Sequence, residues 1–309
     1  MQSRLRYAYR GLVVPVFTPF KNDSKRTVNA SLIPRYSDYL RSKSITGVLV
    51  NGTTGEGMTM TVGERKKVAE AWSAAAKIND QHLVVQIGGT NLADVKDLAS
   101  HAESLGVSAI LSLPELYYKP SSVDQLFDYL TEISDAAPKT PLLYYHFPNM
   151  SKVSIHMGRF LESIGDRIPT LVGIKFTSTN LEEASHAVQA DNRRFTIFLG
   201  SNEIIPAASV VGIESFMPST ANLFPELVRA IIEHSRDGDY KNAKAKQETL
   251  LQVFKGLARL GNPIVCMKAA MAQLSPIEVG PSREPLGAIN ELGQNQINSL
   301  LHKFKSANF

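Results

Sequence analysis

Cysteine is nearly absent from the sequence, which contains only Cys266. One cysteine cannot form an internal disulfide, so a reducing compartment, the cytoplasm, is the simplest expectation. Cys266 lies in the apolar segment 263–268, which has the pattern of a buried helix. A buried free cysteine behaves as a small hydrophobic side chain, so we interpret Cys266 as core packing rather than as a nucleophile.

Long apolar runs and blocks of like charge are also missing. No stretch approaches the roughly 20 apolar residues that a bilayer span needs, and the N-terminal segment lacks the apolar core of a secretory signal. Lysine and arginine number 33 and aspartate and glutamate 29, which gives a dispersed net charge of +4. These features predict neither a membrane nor a nucleic acid as a partner.

Metal-ligand spacings are absent as well. The chain has seven histidines, and none belongs to an H-E-x-x-H or similar pattern. We therefore predict that the protein uses no metal cofactor.

The sequence does contain a glycine-rich loop, NGTTGEG at 51–57, placed between an apolar run and a helical pattern that begins at Val62. Its glycine order differs from the G-x-G-x-x-G of dinucleotide-binding loops, and no Walker lysine follows. Glu56 would also repel a pyrophosphate. The N–H groups of a tight turn and the hydroxyls of Thr53 and Thr54 suit one carboxylate instead. A sharp turn alone would equally account for the glycines.

Eight short apolar runs alternate along the chain with longer amphipathic segments. Nearly continuous Val, Ile, Leu and Phe is typical of strands buried on both faces, as in parallel sheets. The predicted strands are Leu12–Phe17, Gly47–Asn51, His82–Ile87, Ala109–Leu113, Pro141–Tyr145, Leu171–Lys175, Thr196–Leu199 and Glu214–Met217.

Helical spacing predicts helices over Leu92–Leu105 and Val123–Ala137, with Ser122 as the N-cap of the second. Beyond Leu223 the chain has a helical pattern almost to its end. The segments there are Pro225–Ser235, Tyr240–Leu260, Pro263–Leu274 and Leu286–Phe304.

Regular strand–helix repetition predicts an α/β fold, either a (β/α)8 TIM barrel or a doubly wound sheet. We favour the barrel because the spacing is even and no second block of strands follows. The expected parts are an N-terminal tail (1–10), the barrel core (11–222), and a closing barrel helix with an additional C-terminal helical subdomain (223–309).

Three motifs together carry a family resemblance: NGTTGEG, LYYHFP at 143–148 and GIKFTST at 173–179. Their order and spacing resemble the dihydrodipicolinate synthase family of class I pyruvate aldolases, over nearly the whole chain. Within that family the chain resembles the sialate lyases, because Asn149 and Met150 stand where the synthases usually carry an arginine. The resemblance implies cleavage of N-acetylneuraminate to N-acetylmannosamine and pyruvate, without a metal or nucleotide.

The resemblance also implies roles for individual residues. Lys175 would form a Schiff base with the substrate ketone, since a lysine desolvated in a barrel mouth favours the neutral, nucleophilic amine. Tyr145 would transfer the proton, fed by a hydroxyl relay through Thr54 and Tyr117, the latter from a neighbouring subunit. Tyr118 is an alternative to Tyr117. The relay implies a homo-oligomer, and the family is usually tetrameric.

Substrate contacts follow from the same resemblance. The carboxylate would bind Thr53 and Thr54, and further contacts would come from Thr177, Gly200, Asn202, Glu203 and Ser219.

The chain departs from the family in the contacts to the sugar tail. Sialate lyases typically carry Gly-x-Asp-Glu after strand seven, and here Asn202 replaces the aspartate. After strand eight, Pro218 replaces a glycine, which removes an N–H and fixes φ. Pyruvate as one half of the substrate is thus the firmer prediction. The alternatives are an aldolase for another 2-keto acid, such as a 2-keto-3-deoxy sugar acid, and a non-catalytic homologue that binds a keto acid.

Overall fold

Eight parallel strands form one sheet with the strands in chain order. The structure is a computed structural model that describes residues 4–306. The sheet closes on itself, because Leu12 forms a parallel bridge with Phe216 and the Phe216 N–H donates to the Gly11 carbonyl at 2.9 Å. The predicted barrel is confirmed. Its strands are β1 Val14–Pro15, β2 Gly47–Val50, β3 His82–Gln86, β4 Ala109–Ser112, β5 Leu142–His146, β6 Leu171–Phe176, β7 Thr196–Leu199 and β8 Ser215–Phe216.

Helices surround the barrel and continue past it. They are α1 Ile33–Ser42, α2 Val62–Ile78, α3 Leu92–Ser104, α4 Val123–Ala136, α5 Pro148–Ser151, α6 Met157–Ile164, α7 Leu181–Arg193, α8 Ile205–Val210, α9 Pro225–Arg236, α10 Tyr240–Ala258, α11 Pro263–Leu274 and α12 Glu291–Ser306. The predicted cap of α4 is present, since the Ser122 hydroxyl accepts from the Gln125 N–H at 3.2 Å. The last predicted helix starts later than expected, at Glu291, because Asn290 caps it there: Asn290 Oδ1 accepts from the Gly293 N–H at 2.8 Å.

Two apolar layers lie on either side of the strands. The inner layer fills the barrel with side chains such as Leu49, Leu143 and Phe198. The outer layer packs the strands against the helices, and most of the buried side chains of α11 and α12 belong to it. Cys266 is fully buried in this outer layer, as core packing requires.

The described part of the N-terminal tail packs against the N-terminal end of the barrel. The Tyr7 hydroxyl lies 2.6 Å from Nε2 of His82, the first residue of β3, and the Tyr9 ring stacks on the same imidazole at 4.0 Å. Burial lowers the pKa of His82 to about 4, because desolvation disfavours the imidazolium. This end of the barrel is therefore closed, and the opposite end is left for a site.

A register shift between β5 and β6 changes which residues of β6 face inward. Leu142 pairs with Leu171, but Leu143 pairs with Gly173. Val172 belongs to the inner layer, whereas Ile174 belongs to the outer layer. Strict alternation from Val172 would point Ile174 inward, so the extra residue at this bulge reverses the facing of the rest of the strand.

Candidate active site

A cavity of about 340 Å³ opens at the C-terminal ends of the strands, where the sites of barrel enzymes lie. Nine residues that the sequence singled out line it: Thr53, Thr54, Tyr145, Lys175, Thr177, Gly200, Asn202, Glu203 and Ser219. Asn149 and Met150, in the place of the expected synthase arginine, line it too.

Lys175 reaches this cavity from β6. Its bulged strand turns it inward, opposite Tyr145 in the register of β5 and β6. The residue is only 3% exposed, and its Nζ lies 4.2 Å from the centroid of the Tyr145 ring. The amine and the phenol therefore face the same volume, as a reaction that uses both groups requires.

The hydroxyl next to Tyr145 belongs to Thr53. Thr53 Oγ1 lies 3.3 Å from the Tyr145 hydroxyl. The expectation that Thr54 supplies this contact is therefore corrected by the structure. The conformation of the turn determines which of the two threonines faces the tyrosine. Because the two residues are identical and adjacent, the sequence motif does not show which one it is.

The glycine-rich loop is held from the side away from the cavity. Thr18 Oγ1 donates to the Gly55 carbonyl at 2.6 Å, and Asn51 Nδ2 donates to the Arg65 carbonyl at 2.9 Å. Within residues 4–306, the backbone N–H groups of Thr53 and Thr54 donate to no protein acceptor. The loop is thus fixed by these two hydrogen bonds, and two of its N–H groups remain available to a ligand carboxylate.

Glu56 does not point into the carboxylate site. It adopts a left-handed φ of 55°, which turns its side chain away, and its Oε1 accepts from Lys268 Nζ at 2.6 Å. The repulsion of an anion that the sequence suggested is therefore weakened, because the charge is paired and buried on the far side.

Thr177 packs against the backbone of Gly200 and leaves no room for a side chain there. Thr177 Oγ1 is buried and has no partner within residues 4–306. A Cβ added to Gly200 would lie 1.9 Å from this oxygen and 3.1 Å from Lys175 Cε. Glycine is therefore required here, and the Thr177 hydroxyl is free to bond a ligand next to the lysine.

Asn202 joins the loops that follow β7 and β8. Its Oδ1 accepts from the Thr220 N–H at 3.1 Å and from Thr220 Oγ1 at 3.0 Å, while its Nδ2 donates to Ser219 Oγ at 3.1 Å. The loop that begins at Pro218 forms a short 3-10 helix, Ser219–Asn222. The amide thereby holds Ser219 at the cavity wall.

Tyr117 and Tyr118 do not line the cavity. They are 74% and 84% exposed, and their rings form an edge-to-face pair with centroids 4.9 Å apart. Two large aromatic rings at such exposure are suited to an interface. Neither tyrosine can therefore transfer a proton in the cavity of its own chain; each could do so only in the cavity of another copy.

His146 lies behind the site, on the outer face of β5. It is 1% exposed and stacks on Phe176 with centroids 5.3 Å apart. Burial lowers its pKa to about 4, with a smaller contribution from His156. Tyr144 likewise lies in the outer layer. Side chains alternate along the strand, so Tyr145 points into the barrel while Tyr144 and His146 point outward.

An apolar wall completes the cavity and was not found from the sequence. It includes Phe147, Phe254, Ile264 and Met267. Phe147 belongs to the LYYHFP motif, so a signal for it existed. The other three residues come from α10 and α11. The helical pattern of these segments does not indicate which of their residues reach a site at the ends of the β-strands.

Residues 4–306 contain neither a metal-binding cluster nor a helix suited to a membrane. No group of three or more His, Cys, Asp and Glu side chains is placed to hold a metal ion. None of the described helices combines the length and the apolar character that crossing a membrane takes.

The model of the dihydrodipicolinate synthetase family matches residues 8–304. The chain belongs to this family. The match covers the barrel and the C-terminal helices together, so the whole cavity, including its apolar wall, lies within the region that the family model describes.

Relatives within the dihydrodipicolinate synthetase family include named enzymes. N-acetylneuraminate lyase A of Xenopus laevis is 35% identical over 280 residues, 90% of each chain. The structure of N-acetylneuraminate lyase (sialic acid aldolase) from Aliivibrio salmonicida superimposes with a TM-score of 0.91 at 32% identity, over 98% of both chains. A catalytic lysine mutant of Ruminococcus gnavus sialic acid aldolase gives a TM-score of 0.90 at 25% identity, over 97% of this chain and 96% of that one.

Proposed function

We propose that this protein is a class I aldolase, a carbon–carbon lyase, that cleaves N-acetylneuraminate to N-acetylmannosamine and pyruvate through an imine on Lys175. The observation that carries the proposal is the position of Lys175 Nζ, buried in the cavity and 4.2 Å from the Tyr145 ring. Relatives of 32–35% identity named N-acetylneuraminate lyase support the substrate.

The reaction begins when the keto acid enters with its carboxylate on the loop of Thr53 and Thr54. Lys175 Nζ attacks the C2 ketone of the open-chain sugar and water leaves, which forms an iminium. Tyr145 takes the proton of the C4 hydroxyl, and the C3–C4 bond breaks. The electron pair of that bond enters the iminium and gives an enamine, while N-acetylmannosamine leaves as the aldehyde.

The enamine then accepts at C3 the proton that Tyr145 took from the C4 hydroxyl, and water hydrolyses the resulting iminium to pyruvate and free Lys175. The iminium is the electron sink, so the proposed mechanism includes no metal or nucleotide. Thr53, 3.3 Å from the Tyr145 hydroxyl, is the neighbour through which the phenol exchanges its proton.

We also propose a homo-oligomer, a tetramer, in which Tyr117 or Tyr118 of one copy extends this hydroxyl relay in the next. The exposure of both rings supports the arrangement. The single cysteine makes the cytoplasm the proposed location.

The sugar tail would lie along Asn202, Glu203 and Ser219. Asn202 uses its amide to hold Ser219 and Thr220, so it offers the tail less acceptor strength than a carboxylate would. The second candidate function, an aldolase for another 2-keto acid, is favoured by this departure together with Pro218. It keeps the same imine chemistry and changes only the aldehyde.

Trapping with borohydride tests the imine. Incubation with pyruvate followed by reduction is expected to add one pyruvate-derived group to the peptide that contains Lys175. Lys175→Met should abolish the adduct, and Lys66→Met, which alters an exposed ion pair with Asp97, should not. An unmodified wild-type protein would remove both aldolase functions and leave a non-catalytic keto-acid binder.

A panel of aldehydes then tests the substrate. We expect condensation of pyruvate with N-acetylmannosamine, and Asn202→Asp should lower the KM for N-acetylneuraminate by about fivefold, because a charged acceptor contributes roughly 1 kcal/mol more. If another aldehyde is preferred and Asn202→Asp does not improve sialate cleavage, the second candidate function is the correct one.

A further inference from the structure

A buried ion pair connects the carboxylate loop to a C-terminal helix. The side chains of Glu56 and Lys268 are 0% and 1% exposed, and Lys268 Nζ lies 2.6 Å from Glu56 Oε1. The other oxygen, Glu56 Oε2, accepts from the Arg283 N–H at 2.8 Å. Lys268 Nζ also lies 4.2 Å from the centroid of the Phe20 ring. The carboxylate is therefore fully engaged and stays fixed in position.

Each partner lies within two residues of a side chain that lines a different wall of the cavity. Glu56 follows Thr54 by two residues, on the side that would bind the keto acid. Lys268 follows Met267, which lines the cavity together with Ile264 one turn earlier in α11. The ion pair thus bridges the keto-acid side of the cavity and its apolar wall.

The two ends of this bridge are held unequally by other contacts. The loop is also fixed to the barrel by Thr18 and Asn51, and internally by the Gly57 N–H, which donates to the Gly52 carbonyl at 3.1 Å. The start of α11 depends on its own cap, Asn262, whose Oδ1 accepts from the Ile264 N–H at 2.9 Å. That cap lies within the helix itself, and α11 is otherwise held by apolar packing, with Cys266, Met267, Ala270 and Met271 in the outer layer. Apolar packing is non-directional, whereas the loop is held by directional hydrogen bonds, so loss of the ion pair should move α11 rather than the loop.

We propose that Glu56 and Lys268 are a positioning pair that sets the distance between the carboxylate loop and the apolar wall, and thereby fixes the pocket for the aldehyde half of the substrate. This inference rests on the proposed function. It predicts that loss of the pair weakens use of the full substrate while leaving pyruvate binding intact.

The test compares Lys268→Met with the double variant Glu56→Gln, Lys268→Met. The single variant leaves a buried carboxylate without its partner and should lose thermal stability, whereas removal of both charges should restore most of it. Both variants should raise the KM for N-acetylneuraminate about tenfold, with kcat within threefold. The half-saturating pyruvate concentration in borohydride trapping should stay within twofold.

The double variant separates positioning from folding, because its stability is restored while its KM stays raised. A KM that returns to the wild-type value with stability would show that the pair is only structural and would overturn the proposal. Equal losses of pyruvate trapping and sialate cleavage would also overturn it, since the loop would then have moved. The matched control is Glu132→Gln, which weakens the exposed ion pair with Lys96 on the outer helices and should leave both constants unchanged.

Hydrogen exchange provides a readout that needs no turnover. In the double variant the amides of 264–268 should exchange at least tenfold faster, and those of 51–57 should not change. Unchanged exchange in α11 would contradict the proposal. Because trapping of pyruvate by the wild type tests the imine alone, failure of the proposed function and failure of the positioning pair give different results.

Discussion

At Gly200 the site leaves no room for a side chain. A Cβ there would lie 1.9 Å from Thr177 Oγ1 and 3.1 Å from Lys175 Cε, well inside van der Waals contact. The sequence offered Gly200 as a substrate contact within a motif. The structure adds a steric reason, which depends on the neighbouring strand and is invisible in the motif itself.

Gly200→Ala is therefore expected to displace Thr177 and Lys175 and to lower kcat/KM by at least tenfold, since small misplacements of reacting groups are costly. Gly63→Ala is the control, because a Cβ at Gly63 in the first turn of α2 meets nothing within 4 Å and alanine has a higher helix propensity than glycine. It should keep full activity and slightly raise the melting temperature. The measurement is kcat/KM of both variants in steady-state kinetics. Wild-type kcat/KM in Gly200→Ala would contradict the prediction and show that the pocket accommodates the added methyl group.

Among the elements, β5 and β6 carry the two groups that would react. The identity of both strands followed from their apolar runs, and the inward direction of Tyr145 followed from alternation. The inward direction of Lys175 did not, because Val172 and Lys175 are three residues apart and strict alternation would place them on opposite faces. The bulge at Gly173 resolves this, and a Cβ at Gly173 would lie 2.1 Å from the Thr196 carbonyl. The need for glycine at position 173 becomes visible only when β6 is paired with β5 and β7.

Helix α4 shows how much a local signal can determine by itself. Ser122 was predicted as its cap, and the Gln125 N–H donates to its hydroxyl. Ser122→Ala should reduce the free energy of unfolding by about 1 kcal/mol, because a helix N–H loses its acceptor. Ser122→Asp retains an acceptor and should match the wild type in thermal or urea denaturation. Equal stability of all three proteins would show that the helix is held by packing alone.

For the whole molecule, one buried and one partly buried histidine link folding to pH. Burial lowers the pKa of His82 and His146 from 6.5 to about 4. The unfolded chain therefore binds these protons first, so stability is complete above about pH 6.5 and is lost as the pH falls toward about 4. Between pH 7 and pH 5 each histidine should reduce the free energy of unfolding by about 2 kcal/mol.

His82→Gln removes one of these two titrating groups while keeping a donor for the Tyr7 hydroxyl. Its melting temperature should fall less between pH 7 and pH 5 than that of the wild type. His302→Gln changes an exposed histidine and should behave as the wild type does. Identical falls in all three proteins would mean that the contact between the tail and the barrel does not control acid stability.

The sequence by itself determined the eight strands, the barrel, the family and nine of the residues that line the cavity, because these follow from local periodicity and from motifs that stay contiguous in the chain. Only the tertiary structure decided that Thr53 rather than Thr54 meets Tyr145, that Glu56 turns toward Lys268, and that α10 and α11 supply an apolar wall. Those features join segments up to about 200 residues apart in the sequence. Tertiary packing brings such segments together, and the local sequence pattern of either segment does not encode that packing.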